Sequence, residues 1–193
     1  MQFLTDFADQ AVILPLVVVV TVVLAFQGWR RGALVWFASI GGTFAVTLAL
    51  KLFFMGCQGI FGGMALRSPS GHVAAACVVS GGMIAIFGRR RLTVALGVVI
   101  AAVVVGFTRL GLQAHTMPEV IIGAGAGLIG ALVLARYAGP VPRLKARPLV
   151  LAVTAVLALF HGRHLEAEIV IRQAASDAGL FPAWCQTGNA DRS

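Results

Sequence analysis

The sequence predicts an all-α polytopic membrane protein, a bundle of about six transmembrane helices with a functional site at the outer membrane–water interface. Three observations predict it. Hydrophobic residues fill 59% of the 193 positions and charged residues 11%, with mean hydropathy +0.94, whereas a soluble domain averages roughly 25% charged residues. The apolar residues fall into successive long runs. The scarce polar groups gather at the ends of those runs, basic at one set of ends and acidic or histidine-bearing at the other.

A helix rises about 1.5 Å per residue, so a hydrocarbon core of about 30 Å takes roughly 20 residues to cross. The first run, about 11–28, follows MQFLTDFADQ, which carries Asp6 and Asp9 and no basic residue. That is the wrong flank for a cleaved signal peptide, so this span is expected to be retained. The second, about 33–54, contains Lys51 near its end, and the third, about 71–87, is entered through RSPSGHVAAAC at 67–77. The fourth covers about 92–108, and the fifth, about 118–138, carries Gly123, Gly125, Gly127 and Gly130. Gly123 and Gly127 form a GxxxG suited to close helix contact, inside the bundle or in a dimer. No strand precedes it, so it is not a cofactor loop. The sixth run, about 149–162, is short for a span and leaves a re-entrant or interfacial helix open. HGRHLEAEIVIR at 161–172 sets His161, His164 and Glu168 at helical spacing. An amphipathic interfacial helix within a tail over 163–193 is the expectation there, rather than a metal site. The chain reads as one domain over 1–193, with its motif core at 51–119. Its three cysteines form no metal-ligand pattern: Cys77 is expected to pack, and Cys57 and Cys185 would pair if they share an oxidising face.

Charge sets the orientation. Arg30, Arg31, Arg89, Arg90, Arg91, Arg136, Arg143, Lys145 and Arg147, nine of the fifteen cations, follow the first, third and fifth spans. All seven acids and all four histidines fall on the other side. The basic side is therefore expected to be cytoplasmic and held against anionic headgroups, with both termini outside. These arginines read as topology signal and lipid contact, with no nucleic-acid partner. The location implied is a bacterial inner (plasma) membrane, with the site facing periplasm or exterior.

On the outer side, Lys51 ends one span, Arg67 precedes His72 at the start of the next, and Arg109 ends the fourth, six residues before His115. PSGH at 69–72 and TRLGLQAHTMPE at 108–119, an R-x5-H-x3-E pattern, make up two blocks. Together they resemble the type-2 phosphatidic acid phosphatase superfamily, which includes bacterial acid phosphatases and vanadium haloperoxidases. That family carries K-x6-R-P, P-S-G-H and S-R-x5-H-x3-D, and the resemblance covers residues 51 to 119. Three positions depart from it. Gln58 and Gly59 stand where the first block has Arg-Pro, Thr108 replaces the serine, and Glu119 replaces the aspartate.

The resemblance implies that His115 is the nucleophile, forming a phosphohistidine, and that Glu119 orients it. His72 would be general acid to the departing alkoxide, then base toward water. Arg109, Lys51, Ser70 and Gly71 would bind phosphate, with Arg67 offered as a substitute for the missing arginine. Elementary chemistry agrees, since phosphoryl transfer chiefly needs donors around the equatorial oxygens. A helix start supplies unpaired N–H groups and a dipole favouring an anion. Ser68 or Ser70 is expected to cap that start, with Pro69 in its first turn. Structural readings stand alongside: Lys51 as a snorkelling span-end lysine, Glu119 as part of a capping box with Thr116. No metal or cofactor is expected. The expected partner is a lipid phosphate substrate, monoester or diphosphate, of the phosphatidic acid, phosphatidylglycerol phosphate or undecaprenyl diphosphate class. The sequence leaves oligomeric state open. It also leaves two rival readings: a lipid phosphotransferase on the same fold, and a silent lipid-phosphate binder or transporter, favoured by the degraded first block.

Overall fold

The structure, a computed structural model, describes residues 6–57, 66–88, 90–163 and isolated positions between 170 and 177. Six helices are bounded within them: α1 (Gln10–Phe26), α2 (Arg30–Gly56), α3 (Gly71–Phe87), α4 (Arg91–Gly111), α5 (Met117–Tyr137) and α6 (Ala146–Phe160). No strand occurs among the described residues. The hydropathy runs and the helices agree within a few residues, because each helix is the apolar run plus the polar turn that starts or ends it. Arg30–Gly56, Arg91–Gly111 and Met117–Tyr137 are long and apolar enough to cross a membrane. α1, α3 and α6 are shorter apolar helices. At about 1.5 Å per residue, the 17 residues of α3 span about 25 Å, near the lower limit for crossing.

α3 is the axis of the bundle. It packs against α5, α4 and α2, while α6 lies outside, against α1. Small residues make this central position possible. Ala74, Ala75, Gly81, Gly82 and Ala85 of α3 are all buried, so neighbouring backbones come close. Large apolar side chains such as Phe37, Ile100, Phe107, Ile129 and Leu151 are exposed instead. That inside-out distribution suits a chain whose surroundings are hydrocarbon. The fully buried Trp36 is tied across the bundle: its Nε1 donates to the Val17 carbonyl at 3.2 Å, joining α2 to α1.

The GxxxG serves the interior of the bundle. A Cβ on Gly123 would collide with the Ser70 carbonyl oxygen and stand 3.5 Å from the Ala74 nitrogen, and one on Gly127 would stand 2.6 Å from the Ala74 carbonyl oxygen. α5 is thereby seated against the first two turns of α3. A Cβ on Gly125, on the opposite side of α5, would meet nothing within 4 Å. Gly123→Ala is expected to destabilise by about 1–3 kcal/mol through overpacking, whereas Gly125→Ala should be neutral or slightly stabilising. Thermal unfolding in detergent, run on both variants, checks the contrast.

At the basic end, Arg31 is more than a topology signal. Its Nε donates to the Tyr137 carbonyl at 3.0 Å, closing the C-terminus of α5 with a cation where the helix dipole is negative. Cys57 is disulfide-bonded and Cys77 is a buried free thiol. The expected Cys57–Cys185 pairing, the position of Gln58 and Gly59, the cluster with His164 and Glu168, and nearly all of the 163–193 tail lie outside the described residues.

Candidate functional site

Five chain segments meet at the end of the bundle opposite the arginines: the turn before α1, the last turns of α2 and α4, and the starts of α3 and α5. Glu119, in the first turn of α5, holds two of them together. Its Oε1 accepts the main-chain N–H of Arg67 at 2.7 Å and of Ser68 at 2.8 Å. Oε2 accepts Thr116 N–H at 3.0 Å, the contact that closes the capping box, and lies 2.9 Å from His115 Nδ1. Its carbonyl oxygen also accepts the Ser70 N–H at 3.0 Å. The capping contact and the His115 contact foreseen for this glutamate therefore share Oε2, while Oε1 serves the loop. Its grip on the 67–70 loop is an addition that sequence reasoning missed.

His115 is 8% exposed, in the connection between α4 and α5. With Nδ1 hydrogen-bonded to carboxylate, Nε2 is the free ring nitrogen, and the partner fixes the tautomer. Burial holds the imidazole below the usual histidine range; the Glu119 hydrogen bond opposes this, while the charges of Lys51 and Arg109 add to it. His72, the second residue of α3, stands in electrostatic reach of both Arg109 and His115. Both histidines and this arginine are thus gathered at one end of the bundle.

Lys51 does not snorkel outward. It is 6% exposed, and its Nζ donates to Ser68 Oγ at 2.8 Å. Its Cε approaches to 3.6 Å of the position a Gly71 Cβ would take. The ammonium is therefore directed to the mouth of α3, and a Cβ at 71 would lie in ordinary van der Waals contact with its stem.

Several details correct the sequence reading. Neither serine caps α3: Ser68 Oγ is taken by Lys51, and Ser70, although at the N-cap position, makes no side-chain cap bond. Pro69 precedes the N-cap rather than standing in the first turn, because the helix begins at Gly71. The Ser70 amide is occupied by the Glu119 carbonyl, so Ser70 offers its hydroxyl instead, which is buried and unpartnered. Gly71 and His72 keep first-turn amides with no acceptor in their own helix. Arg67 has an exposed side chain and enters the site through its backbone N–H. Thr108, at the serine position of the third block, is buried and donates to the Val105 carbonyl at 2.7 Å.

Asp9 went unassigned from sequence. It is 4% exposed and lies 3.5 Å from His72 Nε2 through Oδ2. The available signal was modest: an acid at the outer entrance of the first span, on the face that also carries His72. Among the described residues, no group of three His, Cys, Asp or Glu side chains converges to hold a metal ion.

Residues 54–143 match the family model of the PAP2 superfamily. This segment, a little under half of the chain, contains the PSGH loop, Arg109, His115 and Glu119, and is similar to the type-2 phosphatidic acid phosphatase superfamily, as the two blocks implied. PAP2 proteins are in general phosphatases acting on lipid phosphates, set in membrane helical folds. No curated protein and no solved structure matches the chain significantly.

Proposed function

We propose that this protein hydrolyses a lipid phosphate monoester or diphosphate without a metal, through a phosphohistidine on His115. The observation that carries the reading is the His115 Nδ1–Glu119 contact of 2.9 Å, which leaves Nε2 as a buried nucleophile beside Lys51 and Arg109.

In this scheme Arg109 and Lys51 neutralise the phosphate, a planar fork and a point charge respectively. The Gly71 amide and the Ser70 hydroxyl add neutral donors, and Arg67 stands at the rim. Nε2 of His115 attacks phosphorus while the ester P–O bond breaks, and His72 gives its proton to the departing alkoxide. Glu119 stabilises the positive charge that develops on His115. Water then attacks the phosphohistidine, with His72 taking its proton, and inorganic phosphate leaves with His115 neutral again. The site-bearing end faces the periplasm or exterior of a bacterial plasma membrane, where a headgroup meets the cations and its tails remain in lipid. The substrate proposed is of the phosphatidic acid, phosphatidylglycerol phosphate or undecaprenyl diphosphate class.

Phosphate release by purified protein in detergent with a chelator, across a panel of such lipids with and without alcohol acceptors, tests the reading. Release of phosphate from at least one lipid is expected. Tight binding with no release from any of them would overturn hydrolysis, and a newly phosphorylated acceptor would replace it with phosphotransfer. The pH profile gives a further check. The reactive His115 is neutral, its titration is lowered by burial, and the neutral form is lost as pH falls through the lowered value. Activity should therefore persist to below about pH 6.5, an ordinary histidine value, and fail only in more acid solution. An acid limb in kcat/KM centred above that point would contradict the assignment.

A further inference from the structure

We propose that Asp9, in the turn before α1 and outside the PAP2-matched segment, is a positioning residue that holds His72 in its proton-donating state. This deepens the proposed reaction and rests on it. The Asp9 carboxylate divides its oxygens between two tasks. Oδ1 accepts the Ala11 N–H at 2.8 Å and caps α1, while Oδ2 faces His72 Nε2 at 3.5 Å. The carboxylate is buried, and the His72 side chain keeps 24% of its surface exposed. One ring nitrogen is thus paired, and Nδ1 remains to exchange a proton with the leaving oxygen.

The need for such a partner follows from the other charges around the ring. The groups facing His72 are Asp9 from the α1 turn, Arg109 from the last turn of α4, and His115 from the α4–α5 connection. The two basic groups work against a protonated His72. Glu119 cannot offset them, because its oxygens are spent on three main-chain N–H groups and on His115. Asp9 is the carboxylate placed to stabilise an imidazolium here. The site then contains two carboxylate–imidazole pairs: Glu119–His115 for attack, and Asp9–His72 for departure. The N-terminal helix, which contributes nothing to either sequence block, completes the second pair.

The test uses the full chain in detergent with Asp9→Asn and Asp9→Ser, both of which retain an N-cap acceptor. Two probes differ in leaving group: phosphatidic acid, whose alkoxide must be protonated, and para-nitrophenyl phosphate, whose phenolate departs without help. General acid catalysis contributes about 10²–10⁴-fold. Loss of its partner is expected to slow phosphatidic acid turnover by roughly 10–100-fold, with a much smaller effect on the aryl ester. The alkaline limb for phosphatidic acid should also move to lower pH. Equal loss on both probes, or unchanged rates with only a lower unfolding temperature, would reduce Asp9 to a helix cap and overturn the proposal. A measurement independent of turnover accompanies these: NMR titration of the His72 imidazole in wild type and Asp9→Asn. Its midpoint should fall in the variant, and an unmoved midpoint overturns the pairing. Failure of the underlying reaction would appear separately, as phosphate release that survives His115→Ala.

Discussion

His115→Ala is expected to lower phosphate release by on the order of 10³-fold or more, the scale seen when a covalent nucleophile is removed. Among the described histidines, only His115 combines a carboxylate on Nδ1 with burial beside Lys51 and Arg109. Water cannot readily replace it, because the lost imidazole also removes the oriented lone pair. Lipid binding should survive, since the cations and the Gly71 amide are untouched. Two measurements check this. Single-turnover phosphate release should collapse, and the acid-labile phosphoprotein trapped in wild type should be missing from the variant. Near-normal turnover by His115→Ala would remove the covalent route altogether.

Glu119→Gln is expected to cost roughly 10²–10⁴-fold in kcat, by reversing the tautomer of His115. Oε1 accepts two N–H groups, whereas Oε2 accepts one and faces Nδ1. A glutamine satisfies the larger set by turning its carbonyl to Arg67 and Ser68. Its NH2 then points at Nδ1, which must accept, so the ring proton moves to Nε2, the nitrogen required for attack. The wrong tautomer costs about 10⁴-fold in the serine protease triad, which bounds the effect. One opposed pair of donors, at Thr116, adds a stability loss of about 1–3 kcal/mol. The expected combination is a large fall in kcat, little change in KM and a modestly lower Tm. Glu119→Ala should be worse for stability, because it strips acceptors from the 67–68 loop as well. Wild-type kcat in Glu119→Gln would show that the carboxylate serves the loop alone.

The sequence by itself determined that the chain is a helical membrane bundle, where its helices run, and at which end the motif residues gather. Those properties are local. Hydropathy over a turn or two decides whether a segment can lie in hydrocarbon, and Gly-, Pro- and Ser-rich punctuation decides where it stops. PSGH and R-x5-H-x3-E were readable for the same reason, each being a short run at a helix start or end. Only the tertiary structure decided which atoms meet. Lys51 reads equally well as snorkelling or as inward-facing until α2 is rotated against α3, and burial of its ammonium against Ser68 settles that. Glu119 reads as a capping residue until α5 approaches α3 through Gly123 and brings the 67–70 loop onto its carboxylate. Asp9 reads as a flanking acid until α1 packs beside the mouth of α3. The physical reason is common to all three. The rotation of one helix against another is set by side-chain packing between segments distant in the chain, and no stretch of sequence carries both halves of such a contact.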